Sequence, residues 1–286
     1  MEYIERAKKF RTKKRLGQNF LVDENIIETI SDLVDSNDAV LEIGPGIGFV
    51  TEEIIKRAKY LRAVELDEEA IEVLKTNLLI VSANSKNKCD YKIIQNDILK
   101  TNLEDLQNEN KDKFKIIANI PYYITSPILV HLLGEIDEIT HKNRDRISEI
   151  ILMVQLEVAK RLTANENSKN KEYGTLSILA QMWADVDAIA LVRSNCFWPR
   201  PKVDSALVRL KINDKPRVEI NPFLKRTVKA AFSQRRKTLK NCLAQAGFKN
   251  IEKVLTELNI DQNIRGEKLS IVDFEKLSKA LYENSN

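Results

Sequence analysis

Short apolar runs recur along the chain as far as Val154: Ala39-Val-Leu-Glu-Ile43, Leu61-Arg-Ala-Val-Glu65, Tyr91-Lys-Ile-Ile94, Phe114-Lys-Ile-Ile-Ala118 and Ile147 to Val154. Each is too short for a helix, and longer segments with apolar positions at helical spacing fall between them. This alternation predicts βαβ units and hence an α/β fold, a parallel, doubly wound, Rossmann-like sheet. Asp23 to Val34 predicts the first amphipathic helix, with Asp23 as its cap. Val186 to Val192 and Ser205 to Ile212 predict two further strands, arranged as an antiparallel edge pair. The polar, Asn- and Lys-rich segments Glu104 to Lys113 and Thr163 to Glu172 predict surface loops. Beyond Lys215-Pro216 the pattern turns helical, from Asn221 to Asn286, and no internal repeat is visible. The expected division is residues 1–214 as an α/β domain and residues 215–286 as a small helical domain.

Charge changes this picture by its placement more than by its sum. Lys and Arg number 46 against 42 Asp and Glu, a formal balance of +4 over 286 residues, which is weak as a sign of a polyanionic partner. Lys8, Lys9, Arg11, Lys13, Lys14 and Arg15 form a basic arm. Lys225, Arg226, Lys229, Arg235, Arg236, Lys237 and Lys240 crowd the start of the helical segment. If that stretch is one helix, Lys225, Lys229, Arg236 and Lys240 fall near one face, at about 3.6 residues per turn. Such a face is either solvated or set against a phosphate backbone. Cys89, Cys196 and Cys242 are far apart and lack a C-x-x-C pairing, which argues against a disulfide framework or a zinc knuckle. No metal is expected. No apolar stretch approaches the ~18 residues that span a bilayer. A cytoplasmic, monomeric protein is expected, and Glu2 and Glu5 argue against reading the basic start as a transit peptide.

Glu42-Ile-Gly-Pro-Gly-Ile-Gly48 follows a strand and opens a helix, the setting in which glycines let backbone approach a nucleotide-like ligand. A tight strand-to-helix turn is the plainer alternative. Glu65, at the end of the next strand, is placed to accept ribose hydroxyls. The loop lacks the G-x-G-x-x-G of a dinucleotide site and, as E-x-G-x-G, instead resembles the first motif of the S-adenosylmethionine methyltransferases, which implies a cofactor without phosphate, for whose methionine and ribose portions Gly44 and Gly46 clear space. Asp97, in Asn96-Asp-Ile98, ends the third strand and can accept a bond from an adenine amine.

Asn119-Ile-Pro-Tyr122 ends the fourth strand, where doubly wound folds bind their ligands. An adenine N6 is a poor nucleophile because its lone pair is delocalised into the ring. Methylating it takes two acceptors that bias the amine toward tetrahedral geometry: the Asn119 side-chain oxygen, and the backbone carbonyl of Ile120 or Pro121. Positioning and electrostatics then carry the catalysis. Tyr122 can stack on a base flipped from its helix. Phe197-Trp-Pro-Arg-Pro-Lys-Val-Asp-Ser205 offers a second wall in Phe197 and phosphate contacts in Arg200 and Lys202, with core packing as the alternative for the aromatic pair. His131 and His141 have no partners at ligand spacing and are assigned no chemistry.

With Leu16-Gly-Gln-Asn-Phe-Leu21 and Val64-Glu-Leu-Asp67, these motifs together resemble the KsgA type of ribosomal RNA adenine dimethyltransferase over nearly the whole chain. The resemblance implies S-adenosyl-L-methionine as cofactor, held by Asn19, Leu21, Gly44, Glu65, Asp97 and Asn119; Asn19 and Leu21 come from the resemblance alone. It further implies that two adjacent adenines near the 3′ end of 16S ribosomal RNA, in the immature 30S subunit, become N6,N6-dimethyladenine during ribosome biogenesis. The C-terminal segment, with Arg235, Arg236, Lys237 and Lys240, resembles the small-subunit enzyme more than the erythromycin-resistance methylases of 23S RNA. Tyr123 and Trp198-Pro-Arg-Pro depart from the family pattern and bear on the shape of the pocket. A DNA adenine methyltransferase, with N/D-P-P-Y, would carry a sizeable sequence-reading domain. A non-catalytic assembly factor would have no need of Asn119 and Glu65.

Overall fold

The computed structural model describes residues 2–169 and 172–285; the expected loop at Thr163 to Glu172 therefore lies partly outside the described residues. The elements run α1 (Glu2–Lys9), β1 (Phe20–Leu21), α2 (Glu24–Ser31), β2 (Ala39–Ile43), α3 (Phe49–Ile54), β3 (Tyr60–Glu65), α4 (Glu68–Asn84), β4 (Asp90–Gln95), β5 (Phe114–Asn119), α5 (Thr125–Leu133) and β6 (Ile147–Gln155). They continue with α6 (Leu156–Thr163), α7 (Thr175–Trp183), β7 (Ala184–Val192), β8 (Phe197–Trp198), β9 (Ser205–Ile212), α8 (Leu224–Ser233), α9 (Leu239–Gln245), α10 (Ile251–Glu257) and α11 (Ile271–Glu283). The chain divides into two compact units: residues 1–132, 142–159 and 187–212, and residues 133–141, 160–186 and 213–286.

The first unit is built on a seven-stranded sheet in the order β4-β3-β2-β5-β6-β9-β7. Strands β4 to β6 run parallel, and β9 joins β6 antiparallel. The strands expected as an edge pair, Val186 to Val192 within β7 and Ser205 to Ile212 as β9, are indeed neighbours at one edge of the sheet, with β7 outermost and β9 joining the pair to β6. The central strand β2 is buried at all five positions, the pattern of a parallel strand covered on both faces. Its register with both neighbours brings Ile43 level with Val64 and with Ala118. The chain leaves β2 toward β3 on one side and later returns to β5 on the other. This reversal of strand order opens a crevice at the carboxyl ends of β2 and β5.

Local chemistry sets the helix starts. The Asp23 carboxylate accepts from the Asn25 and Ile26 N–H groups, confirming it as the cap of α2, and Asp67 caps α4 by accepting from Glu69. Lys115 is the one charged residue of β5. Its ammonium is held by Asp38 at 2.6 Å, Glu149 at 3.5 Å and the Leu33 carbonyl, the pairing a buried charge needs. All three cysteines are free. Among the described residues no helix is long and apolar enough to cross a membrane.

The second unit packs α8 to α11 around Leu224, Val228, Leu239, Leu255, Phe274 and Leu277, all buried. The single helix that would align Lys225, Lys229, Arg236 and Lys240 does not form. Alpha8 ends at Ser233, Gln234 turns extended at φ −140°, and α9 restarts behind the Thr238 cap. Gly266 sits against the end of α8, where an added Cβ would lie 2.6 Å from the Ala231 carbonyl oxygen and 2.8 Å from the Ala231 Cβ. Backbone cannot yield there cheaply. Gly266→Ala is therefore expected to lower unfolding free energy by about 1–3 kcal/mol, the usual cost of overpacking, measured by urea denaturation. Unchanged stability would show that α8 can shift away.

Candidate active site

The carboxyl ends of β2, β3, β4 and β5 converge on one cavity. Its lining includes Asn19 and Leu21, Glu42 to Val50, Glu65 and Leu66, Asn96 and Asp97, and Asn119 to Ile124. Three segments far apart in sequence thus meet: the glycine loop, the acidic strand end, and the N-I-P-Y turn.

Glu65 organises the first two. Its carboxylate is 8% exposed and accepts three backbone N–H groups, from Gly46 at 2.9 Å, Leu66 at 2.8 Å and Asp67 at 2.8 Å. A carboxylate has roughly four acceptor positions, so about one is left for a ligand. Burial raises its pKa against the opposing pull of these three donors. The glycine loop is shaped for close approach. Gly44 and Gly46 stand at φ +68° and +58°, the left-handed region that side chains disfavour, and a Cβ on Gly46 would lie 2.7 Å from the Phe20 ring. Glu42, on β2, is 3% exposed, and its Oε2 has no hydrogen-bond partner among the described residues. Burial pushes its pKa up to about 8, against the opposing pull of the Thr51 hydroxyl and with a smaller contribution from the Glu65 charge. Below that value the carboxyl is protonated, so its Oε2 is a buried polar atom at the wall of the cavity that a ligand's polar group would complete.

Asn119 supplies the third part. Its side-chain Nδ2 donates to the Asn19 carbonyl at 3.3 Å, which leaves Oδ1 as the free acceptor. Of the two backbone carbonyls that could assist it, Pro121's already accepts from the Ile124 N–H at 3.2 Å. The Ile120 carbonyl takes no such bond among the described residues. Tyr122 is half-buried, with its hydroxyl 2.7 Å from Ser205 Oγ. Asp97 uses Oδ1 to cap the Leu99 N–H, leaving Oδ2 open.

The N-terminal segment closes one side of this cavity. Leu16 to Leu21 line it, and β1 pairs antiparallel with β8, Phe20 opposite Trp198 and Leu21 opposite Phe197. Lys13 Nζ at 2.5 Å and Gln18 Nε2 at 2.6 Å both donate to the Asp67 carboxylate. The basic arm is accordingly no free tail: Glu2 to Lys9 is helical, Arg6 pairs with Glu52, and Lys13 is spent on Asp67 and Glu69.

The structure thus brings together Asn19, Leu21, Gly44, Gly46, Glu65, Asp97, Asn119, Pro121 and Tyr122. Phe197 is not among the lining residues. It is 2% exposed and belongs to the hydrophobic core with Phe20 and Leu21, so its expected place as a pocket wall is corrected to core packing behind the N-terminal segment. Arg200 is exposed and donates to Ser194 Oγ at 3.0 Å, and Lys202 is exposed. In the second unit Arg236 and Lys237 are exposed, whereas Lys240 pairs with Glu252, and Lys225 with Asp137 at 3.1 Å and Glu135 at 3.6 Å. The Arg235 guanidinium lies near Gly174, where an added Cβ would meet it at 3.2 Å. Sequence reasoning missed Gln18, Asp67, Leu66 and Ser205. Gln18 and Asp67 stood inside quoted motifs, but nothing local shows that they meet.

Residues 9–283 match the ribosomal RNA adenine dimethylase family. The chain is 39% identical over 280 residues to ribosomal RNA small subunit methyltransferase A of Clostridium botulinum, covering 96% of this chain and 95% of that one. It is also 39% identical over 285 residues to the protein of that name in Geobacter metallireducens, covering 96% and 98%. Among solved structures it resembles a dimethyladenosine transferase from Plasmodium falciparum, with a TM-score of 0.74 and 25% identity over 92% of this chain and 98% of that one. The fold is shared with the 23S rRNA methyltransferase ErmE, at a TM-score of 0.66 and 22% identity over 92% and 99%.

The Glu42 carboxyl has a measurable signature. Its pKa rises from an ordinary 4.5 to about 8 on folding, so the folded state disfavours its ionisation. Stability is then lost as pH climbs between these values and levels off above the upper one. Glu42→Gln should match the wild type near pH 5 and exceed it in melting temperature near pH 8, measured without ligand. A constant difference across that range would place the titrating group elsewhere.

Proposed function

The chain belongs to the ribosomal RNA adenine dimethylase family, and on that premise we propose that it transfers methyl groups from S-adenosylmethionine to the N6 amine of adenine in 16S ribosomal RNA. One observation carries this reading: Asn119 donates its amide N–H to Asn19 and so presents Oδ1, next in the chain to the Ile120 carbonyl, in the lining of the cavity that Glu65 and the glycine loop build. Two oriented acceptors at a strand end are what an adenine amine needs. The chemistry follows from their fixed positions. Each takes one N–H, which draws the nitrogen lone pair out of conjugation and holds it in line with the methyl group. No strong base is required, because the acceptors are preorganised and cost little reorganisation. Tyr122, fixed through Ser205, stacks on the flipped base.

The residues present fit the cofactor. Glu65 takes a ribose hydroxyl in its remaining acceptor position, Asp97 Oδ2 takes the adenine amine, and Gly44 and Gly46 admit the chain that joins methionine to ribose. Asn19 and Leu21 cover it from the N-terminal side. When bound, S-adenosylmethionine supplies an electrophilic methyl group on its sulfonium. The substrate is the immature 30S subunit, with two adjacent adenines near the 3′ end of its RNA as targets, in the cytoplasm, and the enzyme works as a monomer. Residues 1–214 carry the transfer. Residues 215–286 dock on RNA through exposed cations, and Arg200 and Lys202 add phosphate contacts beside the site.

Binding and chemistry separate by mutation. Glu65→Ala and Gly44→Val should each weaken S-adenosylmethionine binding in calorimetry. Asn119→Ala should slow methyl transfer to unmodified small subunits by about 10²–10³-fold, the cost of losing one preorganised partner, with a much smaller loss of cofactor affinity. Near-normal turnover in that variant would reduce the N-I-P-Y turn to a structural role, and a mark found in 23S RNA would favour the resistance-methylase activity. Docking has its own test. Arg236 and Lys237 are exposed and have no ion-pair partner among the described residues, unlike Lys225 and Lys240. Changing both to Ala should flatten the slope of log K against log salt by about 1–2, each phosphate contact releasing about one counterion. An unaltered slope would move RNA docking to another surface.

A further inference from the structure

The N-I-P-Y turn is followed by Tyr123, a second consecutive tyrosine that the proposed chemistry does not use. Residues Tyr122–Ile124 form a 3₁₀ turn. With about three residues per turn, neighbouring side chains in such a turn point roughly 120° apart. The contacts agree with this divergence. Tyr122 reaches Ser205 on β9 with its hydroxyl at 2.7 Å, whereas the Tyr123 hydroxyl lies 3.5 Å from the Arg15 carbonyl. The two rings are thus held by different partners and diverge from one another.

Tyr123 lines the same cavity yet is 65% exposed, which puts its ring at the rim. It is nevertheless seated. Its edge rests on Gly17, where an added Cβ would come within 3.3 Å of Tyr123 Cε1 and 3.2 Å of Pro121 Cβ. A held aromatic ring with most of its surface open is a stacking platform. Charge beside it matches a nucleic acid strand. Lys14 and Arg15, in the loop that Tyr123 touches, are both exposed and have no ion-pair partner among the described residues. By contrast, Lys13 next to them is consumed by Asp67 and Glu69.

We propose that Tyr123 forms a second nucleobase subsite, stacking on an unpaired base that flanks the target adenine, with Lys14 and Arg15 taking the phosphates of that stretch. The subsite rests on the reading of the cavity as an RNA adenine methylation site. It adds to it a hold on the neighbouring nucleotide: while Tyr122 receives one base, the adjacent base has a ring of its own to stack on. Stacking on an aromatic side chain is sequence-tolerant, so this subsite selects for unpaired RNA and leaves base identity to the cavity.

The test compares Tyr123→Ala with Tyr123→Phe in the full-length enzyme, using small subunits that lack the methyl marks as substrate and S-adenosylhomocysteine as the cofactor probe. Tyr123→Ala should raise the KM for subunits by about 10-fold or more, the scale of one lost base stack, while S-adenosylhomocysteine affinity stays within about twofold. Tyr123→Phe keeps the ring, loses only the hydroxyl contact to Arg15, and should behave as wild type. Equal damage from Phe and Ala would overturn the proposal in favour of a hydroxyl latch. A parallel fall in cofactor affinity would overturn it in favour of a brace for the Arg15–Gly17 loop, and an unchanged KM in the Ala variant would show that no base rests there. Failure of the underlying reading looks different: the wild-type enzyme would then not methylate the subunits, or Asn119→Ala would leave turnover intact.

Discussion

The Glu65 carboxylate, buried at the end of β3, is the interaction on which the rest of the site depends. By accepting the Gly46, Leu66 and Asp67 N–H groups it ties the glycine loop after β2 to the turn that starts α4. A buried anion surrounded by backbone donors is costly to assemble and stiff once made, because each donor left unpaired would carry its own desolvation cost. The Asp67 side chain extends the same network outward. It receives Lys13 and Gln18, so the residue that follows the acidic strand end also holds the N-terminal segment against the cavity. One short stretch, Glu65-Leu-Asp67, thereby couples the floor of the site to its side wall.

Glu42 and Glu65 show two ways of keeping a carboxylate in an apolar setting. Glu65 is compensated within the protein by three donors, and Glu42 has an oxygen left uncompensated. The first is a fixed anionic part of the scaffold; the second is a carboxyl group that burial holds protonated at the cavity wall. Their difference explains why the pocket is shaped in advance and still has polar capacity in reserve for a ligand. The Asn119 amide belongs with Glu65 in this respect, since its donor end is spent on Asn19 and only its acceptor end remains.

Much of this was legible in the sequence because it is locally encoded. The strand at Ala39 to Ile43 has the boundaries its apolar run predicted, and the Asp23 cap sits where the residue type demanded. Glu65, Asp97 and Asn119 line the cavity because strand ends in a parallel sheet share one edge. What could not be read depends on distant pairing. No Gly or Pro stands near Ser233-Gln-Arg235 to announce a break, and the one local sign of it is Thr238, which caps the restart at α9. The insertion of β9 beside β6 is likewise a matter of tertiary register. Phe197 looked like a pocket wall because it lies in a motif rich in prolines and cations; its burial follows from the pairing of β8 with β1, which no local pattern reveals.

That pairing also bears on how the protein is made. The glycine loop, the acidic strand end and the N-I-P-Y turn all precede residue 125, yet the segment closing the cavity from the N-terminal side pairs through Phe20 and Leu21 with Trp198 and Phe197. A growing chain has its cavity floor available long before Phe197 and Trp198 emerge. Until they do, Phe20 and Leu21 lack their backbone partners, so contacts of such large sequence separation are made late in vectorial synthesis. A segment translated before the cavity floor is then among the last to reach its final place, and a nascent or truncated molecule ending before β8 would have the parts of the site without its closed side.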